Sequence, residues 1–332
     1  MMILFMSKEK IESQIPVLRR PISGIKKEDA LSKKLRQFDN PAIKFPFPNA
    51  SGIYINTNES GVVNTSKALT FFPFITEPVH VGFSGWHNFD IMAKRLSSRA
   101  FICDVNPENT LFLSTALKYI RLYEDKSMFI VKMTEFVRKY KYEGSRTNVD
   151  RESYLGTIGP KSIKFSFNVS DEYPYSDHTS ILEEIALEEK RETSWLYTKE
   201  RYAHIRKLAL QDKIAIITED ICNNSVFFTI RSILITNFFQ VDTLYVSNIG
   251  EWMFAEEQRT NFLKTIEYLL TDNETILIAA KLIKNNQENN TPVQYSISKK
   301  HLNEKSSLKD WFFSDDADED MVILPKNSSC QK

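Results

Sequence analysis

From Val79 onward the apolar residues fall into short continuous runs separated by longer amphipathic stretches, the pattern that strand–helix–strand units produce. Val79–Phe83 reads as a short strand, and residues 100–105 as a second, apolar on both faces as a buried parallel strand is. Between them, 88–96 reads as a helix, and Pro107, suited to a first helical position, opens another through about Leu122. Residues 125–212 lose the alternation. There 126–142 predicts a helix, 144–174 is polar with a short strand at 163–167, and Ser180 with Glu183 forms a capping box for a charged helix through Arg191. A further amphipathic helix spans about 195–210. The alternation returns at Lys213, with strands at Ile214–Thr218, 243–246, 275–280 and Pro292–Ser298 and helices at 223–239 and 256–270.

The flanks differ. Residues 7–50 are polar and carry Arg19-Arg20, Lys26-Lys27 and Lys33-Lys34, with prolines at 16, 21, 41, 46 and 48 that break any long helix. They read as an extended arm. Segments 52–56 and 61–65 predict a hairpin around Glu59-Ser60-Gly61. Residues 303–332 include Asp315-Asp316-Ala317-Asp318-Glu319-Asp320 and read as mobile solvated charge. The chain therefore divides into an N-terminal arm (1–70), a first half-domain (71–124), a mainly helical insertion (125–212), a second half-domain (213–300) and an acidic flexible tail (301–332). The fold class is α/β, a doubly wound and mostly parallel sheet.

Composition narrows the function classes. Apolar residues make up 42% of the 332, enough for a sizeable core. The 43 basic and 43 acidic side chains balance, and a dedicated nucleic-acid binder would carry a basic excess. Cys103, Cys222 and Cys330 are far apart and odd in number, which fits reduced cytoplasmic thiols. The apolar start is six residues long before Lys8, too short for a signal peptide's core, and Met6 is a candidate true start. No later run reaches membrane-spanning length. Nine glycines with abundant Lys, Ile and Asn match an AT-rich bacterial genome. His80, His178, His204 and His301 are scattered, giving no metal-ligand pattern. Neither a phosphate-binding Gly-x-x-x-x-Gly-Lys run nor a Gly-x-Ser-x-Gly elbow occurs.

In an open α/β sheet, ligands bind beyond the carboxyl ends of the strands, where strand order reverses. Gly82-Phe83-Ser84-Gly85-Trp86-His87-Asn88-Phe89-Asp90 follows the first strand, and Asp104-Val105-Asn106 follows the second. That spacing suits a nucleoside: the glycine loop passes beneath it and the Asp104 carboxylate accepts hydrogen bonds from its ribose hydroxyls. Asp90 in the first helical turn would repel a pyrophosphate, and Trp86 and His87 crowd its approach. S-adenosylmethionine has no phosphate, and its sulfonium tolerates carboxylates and aromatic faces. The nicotinamide-dependent oxidoreductase alternative is therefore disfavoured.

These residues also carry a resemblance. Gly82-Phe83-Ser84-Gly85-Trp86-His87-Asn88-Phe89, Asp104-Val105-Asn106-Pro107 and Ser247-Asn248-Ile249-Gly250-Glu251-Trp252-Met253 resemble, in order and spacing, a bacterial family of uncharacterised methyltransferase-like proteins. Its pattern runs Gly-x-Gly-x-x-x-Asn-Phe, Asp-Ile-Arg-Arg and Ser-Asn-Val-Glu-x-Tyr-Leu. The resemblance spans about residues 75–285 and implies a Rossmann-like methyltransferase fold that uses S-adenosylmethionine. It names no substrate, whether small molecule or protein. The chain departs from the pattern at Ser84, at Asn106-Pro107 and at Gly250.

The candidate donor-binding residues are Gly82, Ser84, Gly85, Trp86, Asp104, Asn106, Glu219, Asp220 and Ser247, and His87 and Asn248 are the candidates for catalysis. Each has a plainer alternative. Asp104 could cap a loop, Gly82 and Gly85 could be turn glycines, and Glu219 and Asp220 could be solvated charges. Trp86 and Trp252 could be core aromatics rather than pocket walls. Ser247 and Asn248 would lie beside the methyl group, and Gly82–Trp86 and Asp104 should face one cleft with Ser247 at its floor. A side chain filling that cleft would favour the competing class, a non-catalytic binding or secreted effector protein, acting on a host partner, that retains the methyltransferase fold.

Overall fold

A computed structural model of the chain describes residues 28–43, 57, 59–143, 185, 188–282, 292–305 and 307–313. The first hairpin segment (52–56), the strand at 163–167, the capping box at 180–183 and the tail beyond 313 lie outside them.

Six strands form one sheet: β1 (Val79–Phe83), β2 (Arg99–Asp104), β3 (Ile214–Thr218), β4 (Val241–Tyr245), β5 (Ile276–Leu282) and β6 (Pro292–Ser298). Their order is β3-β2-β1-β4-β5-β6, with the first five parallel and β6 antiparallel to β5. β1, β3 and β4 are buried at every residue; β3 accordingly reads as a near-continuous apolar run, whereas β1 and β4 also bury the polar His80, Asp242 and Thr243. Alternate residues of β2 feed opposite cores. Ala100 and Ile102 join Phe89, Phe112 and Trp195 on one face, and Phe101 and Cys103 join Phe227, Ile230 and Phe262 on the other. Helices thus cover both faces of a mixed α/β protein.

The first described helix is α1 (Ala30–Arg36), which docks through Leu31 and Leu35. Asp29 pairs with Arg99 and Arg36 with Asp212. Beyond α1, the Asn40 N–H donates to Thr218 O at 2.8 Å, and the Thr218 N–H donates to Asp39 Oδ1 at 2.7 Å, so this segment closes the edge of β3 at its carboxyl end.

Two expectations change. Residues 61–65 are not a strand: α2 spans Val62–Ala68, because Val62, Thr65 and Ala68 bury one helical stripe and Gly61 turns the chain into it at φ 77°. Among the described residues of this segment, Ser60 alone pairs as a strand would, in a single bridge to Val293. Nor does the flexible tail begin at 301. Lys299–Lys305 and Leu308–Phe313 are helical, and Leu302, Trp311 and Phe312 are buried in the core.

The remaining helices are α3 (His87–Arg95), α4 (Pro107–Leu122), α5 (Lys126–Glu143), α6 (Lys199–Leu210), α7 (Asn224–Thr236) and α8 (Glu256–Leu269), followed by the short α9 (Lys299–Lys305) and α10 (Leu308–Phe313). Arg95 ties α3 to the sheet. Its fully buried guanidinium holds Asp242 of β4 at 2.6 and 2.8 Å and donates to the carbonyls of Leu69, Phe72 and Pro73. Among the described residues, no helix is long and apolar enough to cross a membrane.

Strand order reverses at β1. The chain leaves β1 for β2 through α3 and leaves β4 for β5 through α8, on opposite faces of the sheet. In open α/β sheets this reversal point, where the carboxyl ends of β1 and β4 meet, is the place where ligands bind. Register places Gly82 beside Ile102 and Tyr245, so Asp104, two residues past Ile102, leaves the sheet on the face that Gly82 occupies.

Candidate functional site

The β1–α3 corner is built on Asn88. Its Nδ2 donates to the carbonyls of Phe83 at 3.0 Å and Gly85 at 2.6 Å, and its Oδ1 lies 2.9 Å from His80 Nε2. Since Oδ1 can only accept, His80 carries its proton on Nε2, and Nδ1 accepts from the Thr243 hydroxyl at 2.8 Å. Burial pushes the His80 pKa down to about 4. A Cβ on Gly82 would lie 1.7 Å from Asn88 Oδ1, so the space above this glycine belongs to the Asn88 amide and not to a ligand. Gly85 is buried beside the same amide.

Trp86 is no pocket wall. It is fully buried, its ring packed against Phe112, Phe129 and Trp195, and has no face left for a ligand. Trp252 is 45% exposed, edge-on to Phe254. Ser84, half-buried, holds left-handed backbone at φ 72°, and its N–H donates to Cys103 O at 3.2 Å, which joins the loop to the end of β2.

Asp104 at that end is half-buried. It accepts from the Asn106 N–H at 2.8 Å and the Asn109 amide at 2.6 Å. Burial raises its pKa to about 6, against the pull of those two donors. Asn106 is the N-cap of α4, its Oδ1 accepting from the Glu108 N–H at 3.0 Å, with Pro107 at the first helical position. Loss of this cap in Asn106→Ala is expected to cost about 1 kcal/mol of folding free energy, read by urea unfolding. At the end of β3, Glu219 is buried and accepts from the Asp220 N–H, while Asp220 accepts from the Cys222 N–H, so both acids shape the turn into α7.

The end of β4 holds what local pattern could not reveal. Ser247, in left-handed backbone at φ 52°, donates to Glu59, as does the Tyr245 hydroxyl at 3.0 Å. Gln294 of β6 donates through Nε2 to Glu59 Oε2 at 2.6 Å and lies 3.1 Å from His87 Nε2. His87 Nδ1 lies 2.8 Å from Asp90 Oδ2. A carboxylate only accepts, so the His87 proton sits on Nδ1 and Nε2 faces Gln294 as an acceptor. Asp90 also receives Arg191 at 2.7 Å and the Trp195 N–H at 2.7 Å. Against the cost of burial, the Arg191 guanidinium and His87 hold the Asp90 carboxyl below the usual carboxylate range. Its charge is thus absorbed inside the protein and cannot repel an anion at the loop, contrary to the expectation for this residue. Burial and the Glu59 carboxylate push the Tyr245 hydroxyl well above its ordinary value.

The structure therefore brings His87 and Ser247, from the predicted set, together with Glu59, Asp90, Arg191, Tyr245 and Gln294. Asn248 is half-buried, its Oδ1 3.4 Å from the Ser247 hydroxyl. A groove of about 680 Å3 between the α4–α5 turn and α6, lined by Glu124, Lys126, Tyr202 and Arg206 among others, is remote from these strand ends. Among the described residues, no group of three or more His, Cys, Asp or Glu is arranged to hold a metal.

Fold and site together define an α/β protein with a mostly parallel six-stranded sheet and a buried polar cluster at the point where its strand order reverses. The chain belongs to the family described as Domain of unknown function (DUF7790), whose model matches residues 54–327. No curated protein matches the chain.

Proposed function

We propose that the β1/β4 reversal point binds S-adenosylmethionine and that the protein is a methyltransferase with a Rossmann-like sheet. The observation that carries this reading is the pair of strained serines. Of the non-glycine residues with positive φ, Leu96, Asp212 and Phe238 end helices and Glu77 precedes β1, whereas Ser84 and Ser247 end the two strands that meet at this point. Left-handed backbone at a residue with a side chain costs of order 1–3 kcal/mol and gathers at ligand-binding positions.

The residues present fit the donor at its ribose. An ionised carboxylate offers about four acceptor sites, and Asp104 uses two within its own loop. Bound S-adenosylmethionine supplies an electrophilic methyl group on a sulfonium. Asp104 would hold the ribose hydroxyls, and Ser84 and Ser247 would bound the donor from the two strand ends. His87, oriented by Asp90, would accept a proton from the methyl acceptor at Nε2. The second reading, a binding protein that keeps this fold without catalysis, is favoured by the Asn88 amide that fills the space above Gly82.

Calorimetry decides between them. Saturable heat is expected for both S-adenosylmethionine and S-adenosylhomocysteine, with affinity reduced about tenfold or more in Asp104→Ala. No heat for either ligand removes the donor reading.

A further inference from the structure

Glu59 is fully buried, yet among the described residues no cation pairs with it. Its carboxylate is held by three neutral donors: the hydroxyls of Tyr245 and Ser247 and the amide of Gln294. Taking a carboxylate out of water costs several kcal/mol unless an opposite charge compensates it. The same carboxylate dictates how Gln294 sits. Its NH2 must face Glu59 Oε2, because the reverse orientation would set oxygen against oxygen. Gln294 Oε1 is thereby left, in a residue only 3% exposed, with no hydrogen-bond donor in reach among the described residues. His87 Nε2, 3.1 Å from the same Gln294 Nε2, accepts the second N–H of that amide. At the end of β4 a buried carboxylate and an imidazole nitrogen thus share one amide NH2, and the carbonyl oxygen of that amide is left orphaned.

The complementary group is positively charged and rich in N–H donors. An ammonium supplies both within the size of a single heavy atom. A carboxylate or phosphate would bring like charge against Glu59, and a hydroxyl would bring one donor and no charge. We propose that this cluster is the methyl-acceptor site and that the acceptor is a primary or secondary amine, its protonated nitrogen held by Glu59 and Gln294 Oε1 beside the ring of His87. The proposal rests on the donor-dependent reading above and supplies its substrate class.

The test is ligand-observed saturation-transfer NMR on the full chain at pH 7.5, with and without S-adenosylhomocysteine, using n-butylammonium, butan-1-ol and butyrate as probes. The ammonium is expected to bind at about millimolar concentration and the other two not to bind. Glu59→Gln should weaken the ammonium about tenfold or more. The same variant should keep or raise Tm, because it neutralises an uncompensated buried charge and the new amide can keep its oxygen toward Gln294 Nε2 while its NH2 donates to the hydroxyls of Tyr245 and Ser247. Equal binding of all three probes, or ammonium binding unchanged in Glu59→Gln, overturns the proposal. Ammonium binding to a chain that gives no heat with either adenosyl ligand sinks the donor reading and leaves the amine site standing. Donor binding without ammonium binding does the reverse.

Discussion

Gly82→Ala is expected to cost about 3–5 kcal/mol of folding free energy, the sum of overpacking and of hydrogen bonds lost when Asn88 is displaced. The ideal Cβ would lie 1.7 Å from Asn88 Oδ1 and 2.6 Å from His80 Nε2. Neither group can move cheaply. Asn88 is fully buried and holds the Phe83 and Gly85 carbonyls, and His80 is fixed between Asn88 and Thr243. A double-mutant cycle measures this directly. Asn88→Ala alone should be strongly destabilising, since it orphans two carbonyls and an imidazole N–H. Added to it, Gly82→Ala should cost far less than it does in the wild type, with a coupling of about 1–3 kcal/mol. If instead Gly82→Ala leaves urea unfolding unchanged and removes only adenosyl-ligand binding, the space above this glycine is ligand space after all.

That corner shows how far local pattern reaches. Val79–Phe83, Ile214–Thr218 and Pro107–Leu122 are legible to the residue, because burial on both faces writes a strand as a short, mostly apolar run and Asn106-Pro107 marks where a helix opens. Val62 and Val63 misled for a related reason. Paired β-branched residues favour a strand, but the buried stripe Val62, Thr65, Ala68 against the sheet outweighs that preference. The direction of β6 was not legible either, since an antiparallel edge strand carries the same apolar signal as a parallel one.

The site divides along the same line. Positions at strand ends follow from topology alone, so His87, Asp104 and Ser247 could be named in advance. Glu59 meets Ser247 across 188 residues and Gln294 across 235, and Arg191 reaches Asp90 across 101. No short-range spacing encodes such contacts. Trp86 failed as a pocket residue because an indole beside a glycine loop looks the same in sequence whether it faces a ligand or, as here, anchors α3 against α4 and α5.

Asp104→Asn is expected to stabilise the protein at pH 7.5 while weakening donor binding and exposing an acid sensitivity that the wild type conceals. The folded-state pKa of Asp104 lies at about 6, above its ordinary 3.8, so the folded chain holds this proton more tightly than the unfolded one. Stability from this group is present at low pH and is lost as pH rises from about 4 to about 6. Above that, the ionised carboxylate costs about 2 kcal/mol once its partial exposure is discounted. His80 runs the other way. Its pKa falls from 6.5 to about 4, so its contribution is present above about 6.5 and is lost as pH drops toward 4, about 3 kcal/mol in all. In the wild type the two slopes oppose each other over nearly the same window. The asparagine keeps the bond from the Asn106 N–H but does not titrate, so only the His80 slope remains. Urea unfolding at about pH 4.5, 5.5, 6.5 and 7.5 should show Asp104→Asn ahead by about 2 kcal/mol at the alkaline end, with the lead shrinking to under half of that at the acid end. A lead that does not change with pH would mean that Asp104 does not titrate in this window.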